Sequence, residues 1–404
     1  MTVFRSRQVR ALRIAIASGV AASLILPLGI ATAWNQLLDS RAATSVSETG
    51  ITIPDTPAAL IAALGEGGQL SHLFVATLAA DGVGGTIVLL PIGAGTEVVT
   101  ATSDATPVDA TTPEVSRRLA DVFATDGLGG LASEVQGLFD VSFVAVGAFA
   151  RVEFINLLAP LGGVDVLLDR EVVTVAVDGT ITKLADVGEA SYPIDRVVDI
   201  VLARRANEKE SNRFARHREV WNGIASRIGA GLEIPPETDT TPAGLADTTN
   251  FMRRVFGGAV QVWQLSAAPV LDKTLNPKRT DMYSLDRAEV VMVFASVAPS
   301  ALAGGDYPLT VLIDSPFNDP IVSRAAVAKL LEAGIGVGAM REISAAELPD
   351  TTIEAADDVS SALKTLLAGG LSSIETRKWA SNVTGLDAAI TLGSNFAESV
   401  RNGG

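Results

Sequence analysis

The stretch Ala203–Trp221, ARRANEKESNRFARHREVW, gathers seven basic side chains: Arg204, Arg205, Lys209, Arg213, Arg216, His217 and Arg218. The chain around them carries a formal net charge of −15. Arg213 and Arg216 stand three residues apart, so on a helix they share a face, and Glu210 falls one turn earlier on that face. A forked guanidinium matches phosphate oxygens two at a time, which an ammonium does not. The spacing therefore suits a phosphate or pyrophosphate held by Arg213 and Arg216; Arg205, with Glu210 and Arg218 as supporting residues, completes the candidate set. The competing reading is a solvated charged helix laced by i,i+3 ion pairs, each of little worth. Exposure of the two arginines separates them.

Other chemistries are poorly supplied. With no cysteine, the chain has no disulfide framework, thiolate metal site or cysteine nucleophile. His72 and His217 are its only histidines, which rules out a histidine-rich metal centre and leaves little room for a Ser-His-Asp triad. No GxSxG elbow is present, and Gly84-Gly85, Gly129-Gly130 and Gly162-Gly163 fit neither GxGxxG nor the P-loop pattern. They read as tight turns. Asp104, Asp109, Asp121 and Asp126 are the carboxylates able to offer oxygens to Mg²⁺, a weak signal in loop-rich sequence. The acidic balance argues against nucleic acid as a partner.

The elements that must position these residues alternate. Leu73–Leu78 and Thr86–Leu90 are β-rich runs joined by the turn signal Asp81-Gly82. Glu114–Phe139 is helical in pattern, interrupted at Gly127–Gly130, and Val141–Phe149 reads as a strand. VEFINLLAPL then GGVDVLL reads as helix, turn, strand; two further helices follow, the second near Arg213–Ile228. After Gly304-Gly305-Asp306, YPLTVLID, DPIVSRAAVAKLLEAG and IGVGAMREI repeat strand, helix, strand, and DDVSSALKTLLAGG and LDAAITLGSNF continue the theme. This alternation predicts an α/β class with two layered domains. Aromatics make up only 5% of the chain against 48% hydrophobic residues, so the core must be aliphatic.

The N-terminus is different in kind. Arg5, Arg7, Arg10 and Arg13 precede Ile14–Trp34, an uncharged run long enough to cross a bilayer core, which takes about 20 residues. Residues 1–34 hold no acidic side chain, so this +4 tip leaves −19 on the other 370 residues. Arginines on the near side of a span keep that end in the cytoplasm and put the body outside. The alternative is a secretory signal cleaved after Ala31-Thr32-Ala33. Both readings export the body. The expected organisation is a basic tip at 1–13, a transmembrane anchor at 14–34, a linker at 35–64, and domains at 65–300 and 306–404.

Four stretches, in this order, resemble the LytR-CpsA-Psr family of cell-wall glycopolymer ligases followed by a LytR C-terminal domain. They are VEFINLLAPLGGVDVLL, ARRANEKESNRFARHREVW, DMYSLDRAEVVMVF, and YPLTVLIDSPFNDPIVSRAAVAKLLEAGIGV closing with LDAAITLGSNF. The resemblance implies a mixed sheet in the first domain and a single-pass anchor with an extracytoplasmic body. It also implies a polyprenyl-phosphate-linked glycan as ligand, with peptidoglycan as acceptor. The departures are specific. Where the family has I-P-R-D, whose arginine binds the pyrophosphate, this chain has Leu90-Pro91-Ile92-Gly93. The place of a metal-ligand aspartate falls near Ser71-His72, the helix aspartate is Glu210, a glutamine pair has become His217-Arg218, and Asp314-Ser315 replaces Asn-Gly in the second domain. Phosphoglycan transfer needs preorganised cations, usually with Mg²⁺. The expectation is a pseudoenzyme of the envelope that binds polyprenyl-linked glycan or assists an active paralogue, without a catalytic residue, metal or other cofactor of its own. Two alternatives stand: a phosphotransferase with a rearranged arginine site that uses Mg²⁺, and a structural envelope protein that binds no ligand.

Overall fold

The computed structural model describes residues 53–96, 116–175, 179–205, 208–230, 241–303, 307–367, 370–371, 373–379 and 385–403. The expected span Ile14–Trp34, with Asp104 and Asp109, lies outside them. Among the described residues no helix is long and apolar enough to cross a membrane. Contacts divide the chain into a unit Asp55–Ala303 and a second unit holding Gly304–Gly404.

The first unit is built on strands β1 (Ala58–Leu64), β2 (Leu70–Leu78) and β3 (Gly85–Leu90). Helix α1 (Leu119–Phe139), strand β4 (Ala145–Phe149), helix α2 (Arg151–Leu158) and strand β5 (Gly163–Leu168) follow. Short strands β6 (Val172–Val175) and β7 (Ile181–Ala185) form one hairpin, and β8 (Gly188–Pro193) pairs antiparallel with β5. Then come α3 (Ile194–Leu202), α4 (Glu210–Gly229), α5 (Thr248–Phe256), strands β9 (Val260–Gln264), β10 (Ala267–Pro269) and β11 (Tyr283–Leu285), and α6 (Arg287–Val297).

The main sheet runs β4-β1-β2-β3-β9. β1/β2 and β2/β3 are antiparallel, while β1/β4 and β3/β9 are parallel. The sheet is therefore mixed. β2 is buried along its whole length, as a central strand covered on both faces must be. Residues Ala58–Leu64, placed in the linker by the sequence reading, are instead core strand β1. Their AALIAAL pattern lacks the alternation that marks a half-exposed strand, because both faces are covered. One core cluster joins this sheet to α3, α4 and α5 and is aliphatic except for Phe74, Trp221 and a few other phenylalanines. The glycine pairs divide: Gly84, Gly85 and Gly162 hold positive φ, whereas Gly129 and Gly130 lie inside α1, which bends at Gly127 with φ 69°.

The second unit has strands β12 (Thr310–Ser315), β13 (Gly336–Glu342), β14 (Thr351–Ala355), β15 (Ile374–Lys378) and β16 (Ala388–Thr391), with helices α7 (Pro320–Glu332), α8 (Asp357–Leu366) and α9 (Ser394–Arg401). Strand order is β13-β12-β16-β14-β15, with β14/β16 the antiparallel pair. Asp319 caps α7 through Ile321 N–H, ahead of Pro320. Asp314 is held by Arg341.

Candidate functional site

Helix α4 opens without a cap of its own, since Lys209 supplies no side-chain acceptor. Its first two N–H groups are met from elsewhere. Glu210 N–H donates to Asp281 Oδ2 at 2.6 Å, and Ser211 N–H donates to the Tyr283 hydroxyl at 3.3 Å. The Tyr283 hydroxyl in turn donates to Asp281 Oδ1 at 2.9 Å.

From that anchored start the helix turns its charged residues inward. Glu210 Oε1 accepts from Ile92 N–H at 3.2 Å, and Oε2 accepts from Arg213 Nη1 at 3.0 Å. Arg213 is 0% exposed, and its Nη2 donates to the carbonyl of Ser71 on β2. Arg216, also buried, donates to Glu208 at 2.9 Å and to the Ala203 carbonyl at 2.6 Å. Burial pushes the Glu210 carboxyl up and the Arg213 guanidinium down, and their mutual attraction opposes both shifts.

One turn on, His217 Nε2 faces the Val201 carbonyl at 3.0 Å, and its ring lies 4.2 Å from that of His72. Trp221 Nε1–H donates to His72 Nε2 at 2.7 Å, which leaves the His72 proton on Nδ1. Burial, with Arg213 nearby, pushes His72 down to about 3; burial and the neighbouring His72 hold His217 well below its ordinary value. Both imidazoles are neutral core groups, not bases poised for catalysis.

A cleft of about 480 Å³ opens above this network, lined by Leu70, Ile92, Phe123, Arg118, Asp121, Arg204, Glu210 and Asp281. Arg118 gives both of its bonds to Asp121, at 2.8 and 2.6 Å, which raises the guanidinium and lowers the carboxyl. Arg204 is exposed and has no hydrogen bond or ion pair among the described residues. Neither Arg213 nor Arg216 lines this cleft. The expectation that their shared face meets a ligand, and the competing one that it meets solvent, both give way to a third arrangement. The face is buried, and its charges are neutralised by Glu210, Glu208 and backbone carbonyls.

The other expected residues are dispersed. Arg205 lies 3.6 Å from Glu171 and is half-exposed. Arg218 pairs with Glu219 at 3.2 Å beside a separate cleft of about 340 Å³ that also touches Phe214, Gln264 and Tyr283. Glu210 pairs with Arg213 one turn along α4. Residues that sequence reasoning missed are Arg118, Asp281, Tyr283 and the Ser71 carbonyl. Asp281 and Tyr283 sit in the stretch DMYSLDRAEVVMVF, read from sequence only as the end of the domain.

The carboxylates at the cleft do not fit a divalent cation as they stand. Asp121 is engaged by Arg118, Asp281 by an N–H and a hydroxyl, and Glu210 by Ile92 and Arg213. Asp126 is taken by Arg117. Among the described residues no cluster of three acidic or histidine ligands forms.

No family model and no curated protein sequence matches the chain. Solved structures do. TagV of B. subtilis is similar over 59% of this chain and 94% of its own, at 14% identity and TM-score 0.41. TagU of B. subtilis covers 61% and 97%, at 14% identity and TM-score 0.37. TagT, solved bound to LI-WTA, covers 63% and 94%, at 14% identity and TM-score 0.39. TagV, TagU and TagT are LytR-CpsA-Psr proteins. Each of these matches spans about three-fifths of this chain.

Proposed function

We propose that this is a membrane-anchored, extracytoplasmic LytR-CpsA-Psr-like protein of the bacterial envelope that binds a polyprenyl-phosphate-linked glycan without efficient group transfer. The observation that carries this reading is the state of the cations at the cleft. Ile92 occupies the position where the resemblance implies an arginine, and Arg213 spends both terminal nitrogens inside the fold. Arg118 is neutralised by Asp121, so Arg204 is the cation left to meet a phosphate among the described residues. One guanidinium can hold an anion. Transfer of a phosphoryl group needs several preorganised charges on both the transferring and the leaving oxygens, and losing one such contact costs about 10²–10³ in rate.

The test uses the full chain in detergent and a short-chain polyprenyl phosphate. Calorimetry should show binding that the corresponding polyprenol lacks and that Arg204→Ala weakens about tenfold, the worth of one charged hydrogen bond. A polyprenyl pyrophosphate incubated with Mg²⁺ should release no phosphate. Phosphate release would establish the phosphotransferase alternative. No binding of either lipid phosphate would leave the structural alternative.

A further inference from the structure

The connection between β10 and β11 differs in chemistry from the acidic body that carries it. Residues 270–280 read VLDKTLNPKRT, with Lys273, Lys278 and Arg279 against Asp272 alone. All three cations are exposed, and none closes an ion pair among the described residues. Leu271 is 88% exposed, the highest value among the large hydrophobic residues described, and Leu275 is 40% exposed. One exposed leucine needs no explanation, but two on a loop with three unpaired cations make a patch of mixed chemistry. The loop is nevertheless a built structure. Asn276, buried at its centre, donates Nδ2 to the Val270 and Thr280 carbonyls at 3.2 and 2.8 Å and accepts from Thr280 N–H at 2.9 Å. Asp272 closes a turn on Thr274 N–H at 2.7 Å. The leucines and cations are thus presented on a fixed frame, and little ordering is lost on contact. Val270 and Leu275 also line an apolar cleft of about 290 Å³ with Phe139, Met282, Leu285 and Val290. After Arg118, Lys278 helps to hold down the carboxyl of Asp121 in the Arg204 cleft, and Asp281, which follows the loop, lines that same cleft.

We infer that residues 270–280 form a membrane-contact loop: Leu271 and Leu275 enter the interface of a bilayer, and Lys273, Lys278 and Arg279 meet its anionic phosphates. That interface is apolar at acyl depth and negative at the headgroups, so it takes both kinds of side chain at once. A soluble polyanion would engage the cations and leave the leucines in water; an apolar protein surface would do the reverse. Ile181 and Val187 are exposed too, but they stand near Asp186 and Glu189, with Lys183 tied to Asp186 at 2.7 Å. An anionic surface repels that patch. The loop does not anchor the body, whose charge balance is acidic. Once the chain is held at the bilayer, the loop turns the body so that the cleft beside Lys278 and Asp281 opens at the headgroup plane, where a lipid-linked phosphate lies. This rests on the protein being membrane-anchored, and not on which ligand the cleft takes.

The chain has no cysteine, so Leu271→Cys takes a single environment-sensitive nitrobenzoxadiazole label. The full labelled chain is placed in phosphatidylcholine nanodiscs with and without phosphatidylglycerol, with doxyl-labelled lipid as quencher. In anionic discs the emission should shift to the blue and be quenched, and in neutral discs much less so. The same label on Val187→Cys should be neither shifted nor quenched. Lys273→Gln, Lys278→Gln and Arg279→Gln together should remove most of the quenching, since each cation near an anionic surface is worth about fivefold in partition. A label at 271 that stays unquenched in anionic discs, with circular dichroism unchanged, overturns the inference. So does quenching that the triple substitution leaves intact or that Val187→Cys shares. The two readings fail separately. A chain retained in the disc with an unquenched loop sinks the contact and keeps the anchor. A chain that enters no disc sinks the anchored reading, and its label is then read against added phosphatidylglycerol vesicles, where quenching keeps the loop contact and its absence overturns it.

Discussion

Arg213 and Arg204 lie nine positions apart and do opposite work. Arg213 is fully buried and pairs with a buried carboxylate, so Arg213→Ala leaves Glu210 charged and unmatched in the core. The expected loss is about 3–5 kcal/mol in urea unfolding. Arg204→Ala, at an exposed position, should stay within about 0.5 kcal/mol of the parent while weakening phosphate binding. The reverse pattern would mean that the two residues have been assigned each other's roles. Below Arg213, His72 is pushed down to about 3, so between that value and about 6.5 only the unfolded chain holds its proton. Stability contributed by His72 is thus complete above about 6.5 and falls as pH drops through this window. Glu210, raised by burial, pulls the other way, since its folded form takes up a proton first as pH falls. His72→Gln keeps an acceptor for Trp221 and leaves Glu210 alone. From pH 7 to pH 5 the parent should lose about 2 kcal/mol more than this variant. The Glu210–Arg213 contact was legible from spacing alone. The direction in which Arg213 points was not, because its second partner, Ser71, is 142 residues away and the cap on α4 is 71 residues away.

At the scale of elements, α4 lies against β5 through Gly223, where a Cβ would fall on the Asp165 carbonyl and the Val164 side chain. Gly223→Ala gains helix propensity of about 1 kcal/mol, but overpacking against backbone costs about 1–3 kcal/mol, so a net loss of stability is expected. Gly137→Ala, on α1 with nothing near its Cβ, should gain up to about 1 kcal/mol. Parallel urea titrations check the opposite signs; equal shifts would mean that α4 does not sit as close to β5 as described. Strands rich in β-branched residues next to a turn signal, such as Thr86–Leu90, and helices with clear stops, such as α7, were readable within a few residues of their bounds. β1 was not, since an alanine-rich run buried on both faces carries no period. The hairpin strands β6 and β7 and the site strand β11 escaped for a different reason. They are four, five and three residues long, and their pairing, not their own sequence, makes them strands.

For the molecule as a whole, the decisive asymmetry is electrostatic. The +4 tip is set against −19 on residues 35–404. Anionic lipid attracts basic segments by about 1 kcal/mol per Lys or Arg near the surface and repels a body of the opposite balance. The body has no electrostatic reason to reside on such a membrane, so the proposed anchoring rests on the apolar run Ile14–Trp34. Deleting residues 1–34 should move the protein from the membrane pellet to the soluble fraction in a bacterial host, with the first unit still folded by circular dichroism. Substituting only Arg5, Arg7, Arg10 and Arg13 by Gln should leave it in the pellet and disturb which side of the membrane the body occupies, as protease accessibility would report. A deleted chain that still pelleted as folded protein would transfer the membrane contact to the body. A mature N-terminus found at Trp34 would instead mean that the run is a signal removed on export. In that case the cleft meets its lipid phosphate without a tether, and the affinity measured on the isolated body becomes the one that matters at the envelope.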